Sequence, residues 1–239
     1  VLKAFCFLFL ISLPVHLRAQ NIQFHYDIRH TLDPELHDKN FPSVSFEYFK
    51  EMDSLGSFLF KIQSDLNGEN NNIGQTFIQV SQSVKFWKPK VYLSVNYSGG
   101  LGVAPPSYGY YLSNAFGLGV SHPFQWQGAW LNLNAQYRYT AFKAPSHDAQ
   151  VTFYFWKGFF DYKLAVSGSI VAWTENRNQG TEFTSGLSGK KIAFFGDPQL
   201  WYKVKGGFSL GTRVNLFYNL IEDKASLKIY PTIGMQYKF

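Results

Sequence analysis

The sequence has 239 residues, enough for one domain, with 16% charged and 19% aromatic residues. Its 22 Lys and Arg exceed its 16 Asp and Glu, and removal of Lys3 and Arg18 with the leader described below leaves 20 against 16, a charge of +4. This mild excess disfavours a nucleic acid polymer as the partner. Beyond the N-terminus no apolar run reaches about 18 residues, which disfavours helical membrane spans.

The N-terminal stretch "VLKAFCFLFLISLPVHLRAQ" has a basic residue, an apolar core and a small residue, Ala19, in the order of a secretory signal peptide. We therefore expect residues 1–20 to be a signal peptide and residues 21–239 to form the mature domain. The only cysteine, Cys6, lies in the leader, so an exported mature chain would contain no disulfide.

Apolar and polar residues alternate along much of the mature chain. In "NIQFHYDIRH", Ile22 and Phe24 lie on one face and Gln23 and His25 on the other. This period of two indicates β-strands. Twelve such runs are predicted near residues 21–30, 42–50, 57–65, 76–86, 90–98, 110–120, 130–139, 148–156, 161–173, 191–203, 207–217 and 227–239.

The connections between these runs alternate in length. Mostly longer ones, such as "NGENNNIGQ" and "TENRNQGTEFTSGLSGK", alternate with mostly shorter ones, such as "WKPK", "SHPFQWQ" and "VKGG". Long loops at one end, short turns at the other and an even strand number predict an all-β transmembrane antiparallel barrel of about 12 strands, with both termini in the periplasm. In such a barrel the apolar face meets lipid, the polar face lines the lumen, and Phe239 lies in the inner aromatic girdle.

A soluble sandwich or lipocalin-like barrel would also alternate, but the leader, the aromatic apolar face and the strand number favour the membrane barrel. Pro198 and Pro231 fall within predicted strands, where each removes one ladder hydrogen bond. We expect a local bulge or kink at both.

The segments "NIQFHYDIRH", "SVSFEYF", "VKFWK", "NYSGGLG", "DPQLWYKV" and "IGMQYKF" together resemble the Tsx-like nucleoside-specific channel-forming outer-membrane proteins. The resemblance covers nearly the whole mature chain. It implies a monomeric twelve-stranded barrel in the cell outer membrane, with a narrow lumen through which nucleosides diffuse. It assigns no individual binding residue.

The polar faces of the strands supply the lumen residues directly. We expect ligand-binding residues among lining groups that combine charge or amide chemistry with flat aromatic rings. They are His25, Asp27, Glu47, Lys61, Tyr92, Trp130, Arg138, Tyr154, Asp197 and Arg213.

For any one of these residues, packing is the commoner role. Counting along the strands places Glu47 opposite Lys61 and Asp197 opposite Arg213, and such cross-strand pairs can simply neutralise lumen charge. Aromatic residues near strand ends, such as Trp87, Trp156 and Tyr237, are expected to be interface anchors.

The favoured function is passive diffusion of small polar solutes, most of all nucleosides, through the lumen, without enzymatic activity, metal or cofactor. A slight excess of lumen cations would favour anionic solutes. Two alternatives are open: a structural barrel subunit that binds a protein partner through its outer loops, and, less favoured, a lipid-modifying hydrolase. None of the six histidines is followed two residues later by serine, but His25 would be the group to watch in a dyad assembled from separate strands.

Overall fold

The computed structural model describes residues 20–52, 56–85, 87–104, 108–142, 144–221 and 225–239. The leader predicted at residues 1–20 lies outside these ranges except for its last residue, Gln20.

The described chain is almost entirely antiparallel β-structure. Its strands are β1 (Gln20–Asp27), β2 (Phe41–Glu51), β3 (Gly56–Asp65), β4 (Gln75–Val84), β5 (Tyr92–Ala104), β6 (Tyr108–Trp126), β7 (Ala129–Thr140), β8 (Ser146–Phe159), β9 (Leu164–Asn176), β10 (Lys190–Gly196), β11 (Gln199–Lys205), β12 (Phe208–Tyr218) and β13 (Leu227–Lys238). Short helical turns occupy Arg29–Leu32, Glu69–Asn71 and Glu182–Thr184. None of the helices in the described ranges has the length and apolar character needed to cross a membrane.

The sheet closes on itself. From β1 to β9 each strand pairs with the next strand in sequence, β12 pairs with β13, and β1 pairs with β13, with Phe24 opposite Met235. Both β10 and β11 pair with β9 on one side and β12 on the other, so these two segments share one strand position. The fold is therefore a closed antiparallel barrel of twelve strand positions, as the sequence predicts.

The break between β10 and β11 falls at Asp197 and Pro198. Proline lacks an N–H for the ladder, and the Pro198 carbonyl instead accepts a hydrogen bond from the Val214 amide at 2.9 Å. Gly168 faces the break with φ +150°, and a Cβ there would lie 2.7 Å from the Asp197 carbonyl oxygen. The register is the same on both sides of the break, so the expected kink at Pro198 interrupts the strand without shifting it.

Pro231 also disturbs the ladder, between β12 and β13. Pairing stops after Gly211 and resumes at Val214, which lies opposite Pro231. Across this gap the Thr232 hydroxyl accepts a hydrogen bond from the Arg213 amide at 3.2 Å and lies 3.0 Å from the Arg213 carbonyl oxygen. A side-chain hydroxyl thus takes over part of the backbone pairing.

The two faces of the wall differ as the alternation predicts. Outward positions are apolar and exposed, including Phe24, Leu118, Leu133, Val151, Leu210, Ile233 and Met235. Inward positions are polar and buried, including Gln23, Asn96, Asn134, Gln136, Gln150, Gln199 and Asn215. A surface that is apolar outside and polar inside is the inverse of a soluble barrel.

Several predicted bounds were wrong. The predicted turn "SHPFQWQ" is strand up to Trp126, because β6 and β7 form a long hairpin with a tight turn at Gln127 and Gly128, both at positive φ. The strand predicted at residues 161–173 is shifted, since β9 runs from Leu164 to Asn176.

Candidate functional site

A cavity of about 570 Å³ lies inside the barrel. We call this cavity the cup. It lies toward the barrel end that carries loops 28–40, 66–74 and 177–189, and we call this end the loop end. The opposite end, which carries Gln20 and Phe239, is the terminal end. The volume of the cup falls in the range of small-molecule sites, about 300–1,000 Å³. The charged and aromatic groups among its lining residues are Arg29, Lys61, Asp65, Phe77, Tyr110, Tyr111, Arg138, Phe142, Trp173, Glu175, Lys191, Phe195, Asp197 and Phe217.

Side chains that meet across the lumen form the floor of the cup. Lys61 on β3 forms an ion pair of 2.5 Å with Asp197, next to β10 on the other side of the barrel. Gln79 on β4 donates a hydrogen bond of 3.0 Å to the Tyr154 hydroxyl on β8. Arg213 on β12 donates one of 2.8 Å to Gln63 on β3. These three contacts, which we call the floor, restrict passage from the cup toward the terminal end.

A second cross-lumen contact lies on the terminal side of the floor. Phe49 on β2 and Trp130 on β7 are five strands apart, yet their rings meet edge to face with centroids 5.8 Å apart. Tyr92 and Glu47 also face the lumen at this end. The lumen of a barrel widens with strand number: about eight strands leave an interior filled by side chains, and about 16 leave a wide channel. A lumen of twelve strands is intermediate in width. These contacts narrow it further.

The strand break at Pro198 positions Asp197 in the floor. The Asp197 carboxylate accepts hydrogen bonds from the Ser169 amide at 2.8 Å and the Ser169 hydroxyl at 2.7 Å. With one oxygen held by β9, the other oxygen faces Lys61. The local sequence "DPQ" therefore explains why the Asp197 carboxylate points across the barrel toward Lys61.

The predicted charge pairs are only partly correct. Glu47 does lie opposite Lys61 in the register, but Lys61 bonds Asp197 instead. The predicted pairing of Asp197 with Arg213 was wrong by two residues, because Gln199 lies opposite Arg213. A bulge between Lys203 and Lys205 and a turn at Gly206 displace the hairpin from the simple count.

Arg138 is one of three predicted lumen residues that line the cup, together with Lys61 and Asp197. Its Nη1 donates to Gln150 at 2.7 Å, its Nε donates to Thr140 at 3.3 Å, and its guanidinium lies 4.8 Å from the ring centre of Trp173. Trp173 is fixed in turn by donating to Glu175 at 2.8 Å. The planar cation and the indole form one stacked unit in the cup wall.

Other predicted residues are buried behind this surface. Asp27 pairs with Arg29 at 2.7 Å, and Arg213 is 1% exposed. Both ring nitrogens of His25 are hydrogen-bonded, to Thr232 and Gln23, each at 2.9 Å, and its ring meets Trp201 edge to face. His25 therefore lies in a closed network and does not line the cup.

Some cup residues were missed by the sequence reasoning. Glu175 fell in a predicted loop because β9 is longer than expected, and Asp65 and Lys191 lie at predicted strand ends. Continuing the alternation past Trp173 would have placed Glu175 on the inward face, and the alternation within the predicted strands already places Asp65 and Lys191 there. Trp156, expected at the membrane interface, lies on the same strand face as Tyr154 and stacks on Tyr162. Within the described ranges, no group of three or more His, Cys, Asp or Glu residues could hold a metal.

Loop 28–40 folds against the wall beside the cup. The Lys228 ammonium donates to Asp33 at 2.7 Å, and this hydrogen bond lowers the pKa of the Asp33 carboxyl. His37 packs edge to face on Tyr230, with ring centroids 5.0 Å apart. Burial, reinforced by the nearby Arg29 charge, lowers the pKa of His37 below its usual 6.5.

We expect acidification to loosen loop 28–40. Because the folded loop holds the His37 pKa below that of the open loop, its stability is fully present above about pH 6.5 and falls as the pH drops through the folded value. Amide hydrogen-exchange protection factors of residues 33–40 should therefore decrease between pH 7.5 and pH 5. The variant His37→Phe should lose this pH dependence, and equal protection of the unmodified loop at both pH values would contradict the assignment.

Comparison with solved structures supports the architecture. The structure described as "NanC porin structure in rhombohedral crystal form" matches with a TM-score of 0.56 at 9% identity, over 92% of this chain and 100% of that chain. "KdgM porin" matches with a TM-score of 0.46 at 10% identity, over 92% and 99% of the two chains. "LpxR from Salmonella typhimurium" matches with a TM-score of 0.45 at 8% identity, over 92% and 100%. At these identities the likeness to NanC establishes the fold alone.

Sequence comparison places the chain in a family. No curated protein matches it. The sequence model described as "Domain of unknown function (DUF5020)" matches residues 19–239. The chain therefore belongs to the DUF5020 family.

Proposed function

We propose that the protein is an outer-membrane channel through which small polar solutes diffuse passively, entering the lumen from the loop end. The observation that carries this proposal is the cup, a polar and aromatic cavity inside a barrel whose outer wall is apolar. The structural similarity to the NanC porin agrees with it at the level of fold. In this proposal the terminal end, with Tyr237 and Phe239, faces the periplasm.

Nucleosides are the solutes we propose first. The cup combines flat aromatic rings, such as Trp173 and Phe195, with amides, such as Gln63, Gln75 and Gln150. Aromatic rings stack on a base, and amides hydrogen-bond a sugar or a base edge. The sequence resemblance to Tsx-like channels supports the same choice.

The floor would set the size limit for passage. Its contacts are hydrogen bonds and one ion pair between side chains, and such groups can move without unfolding the wall. The lumen charges Lys61, Asp197 and Glu47 and the aromatic groups Tyr92, Trp130 and Tyr154 then lie along one path from the cup to the terminal end.

Liposome swelling tests the channel directly. Liposomes containing the refolded protein should swell in adenosine or glucose and remain unchanged in a large oligosaccharide, whereas protein-free liposomes should not swell. Equal behaviour of protein-containing and protein-free liposomes in all three solutes would contradict the proposal.

The membrane placement predicts a depth-dependent cost of charge on the outer wall. Leu118 lies outward near the middle of β6 and Val204 lies outward near the terminal end of β11. In lipid, Leu118→Arg should reduce the free energy of unfolding by about 2–4 kcal/mol and Val204→Arg by about 0–1 kcal/mol. Urea titrations in lipid vesicles measure both. Equal costs for the two variants would argue against a bilayer around this wall.

A further inference from the structure

The cup-lining cations Arg29, Lys61 and Lys191 all form ion pairs within the protein. Arg29, Lys61 and Lys190 form ion pairs with Asp27, Asp197 and Asp148 at 2.7, 2.5 and 2.5 Å. Lys191 pairs with Glu175 at 3.5 Å, and Lys228 pairs with Asp33 at 2.7 Å. Asp65 and Arg213 are joined through Gln63, which bonds both.

Arg138 is the exception among the cup cations of the described chain. The carboxylate opposite it in the register, Asp148, is taken by Lys190 and by the hydroxyls of Ser146 and Thr174. Glu175 is taken by Trp173 and Lys191. The hydrogen bonds and the ring contact of Arg138 are all with neutral groups, Gln150, Thr140 and the indole of Trp173, while the Glu175 and Asp148 carboxylates lie nearby without bonding it.

Part of this guanidinium lines the cup without a hydrogen-bond partner. Arg138 is buried, with 7% of its surface exposed, and its Nη2 makes no hydrogen bond within the described ranges. Stacking on Trp173 holds the plane in place, which lowers the entropy that a ligand would otherwise have to remove. An arginine held in this way can donate its N–H groups to the oxygens of a planar carboxylate or a tetrahedral phosphate.

We propose that Arg138, stacked on Trp173, is the anion-recognition point of the cup and that, among nucleosides and sugars, the channel binds those that carry a carboxylate or phosphate, such as nucleotides, more tightly than their neutral counterparts. The inference rests on the proposed channel and names the class of solute that this channel takes. With a neutral nucleoside or sugar in the cup, the unpaired N–H groups of Arg138 would bond only water. With an acidic counterpart they would bond its carboxylate or phosphate.

Calorimetric titration of the refolded protein in detergent tests the site without requiring transport. Three matched pairs serve as probes: adenosine with AMP, glucose with glucose 6-phosphate, and glucose with glucuronate. The unmodified protein should bind at least one acidic member roughly tenfold to a hundredfold more tightly than its neutral partner. Preference for both phosphates indicates a phosphate-bearing solute, and preference for glucuronate alone indicates a sugar acid.

Variants assign the preference to Arg138. Arg138→Gln should abolish the difference within each pair, and Arg138→Lys should restore part of it, since the charge returns without the planar fork. Arg177→Gln removes the same charge from an exposed position on loop 177–189 and should leave the preference unchanged. Equal affinity of the unmodified protein for the members of all three pairs, or an undiminished preference in Arg138→Gln, would overturn the proposal. If liposomes still swelled in neutral solutes, this outcome would refute the anion site at Arg138 but not the proposed channel.

Discussion

Replacing Lys61 with methionine is expected to reduce the free energy of unfolding by about 3–5 kcal/mol, because it leaves the buried Asp197 carboxylate without its ion-pair partner. Asp197 is 3% exposed and cannot turn away, since Ser169 holds its other oxygen. Urea titration of the refolded barrel, followed by tryptophan fluorescence, measures the change.

The double variant Lys61→Met with Asp197→Asn is the control for this prediction. It removes both charges while the asparagine oxygen still accepts from Ser169, so it should recover most of the lost stability. A loss below about 1 kcal/mol in Lys61→Met alone would indicate a solvated pair and would contradict a buried ion pair in the floor.

Truncation of the aromatic contact below the floor should have a large effect on permeation. Phe49→Ala and Trp130→Ala each remove one side of the ring pair that spans the lumen, so each should raise the rate of liposome swelling in glucose severalfold. The double variant should add little to the larger single effect, since either substitution already breaks the contact.

An outward aromatic residue provides the matched control. Phe24 faces away from the lumen, and Phe24→Ala should leave the swelling rate unchanged. Swelling rates in Phe49→Ala and Trp130→Ala equal to that of the unmodified protein would show that this ring pair does not limit passage.

The sequence was sufficient to predict the wall of the barrel. Alternation is a local property, so the inward set from Gln23 to Gln236 could be read strand by strand, and the Glu47 and Lys61 register followed from one hairpin. Pro198 could be expected to disturb its strand because a proline lacks the N–H that the ladder needs.

The contacts across the lumen could not be predicted in this way. Lys61 and Asp197 are 136 residues apart, and Gln79 and Tyr154 are 75 apart, so their contact depends on how the closed barrel staggers its strands. The Asp197 and Arg213 register failed for a related reason, since one bulge near Lys205 displaced the whole hairpin. The matching of charges that leaves Arg138 open is visible only after all of these contacts are known.

Single-channel conductance of the refolded protein in a planar bilayer tests the central claim most directly. Adenosine, thymidine and glucose are added in turn to the side of the loop end. The account predicts a small conductance that nucleosides reduce and glucose does not. Absence of conductance in the unmodified protein and also in the Phe49→Ala, Trp130→Ala double variant would contradict a channel through this barrel.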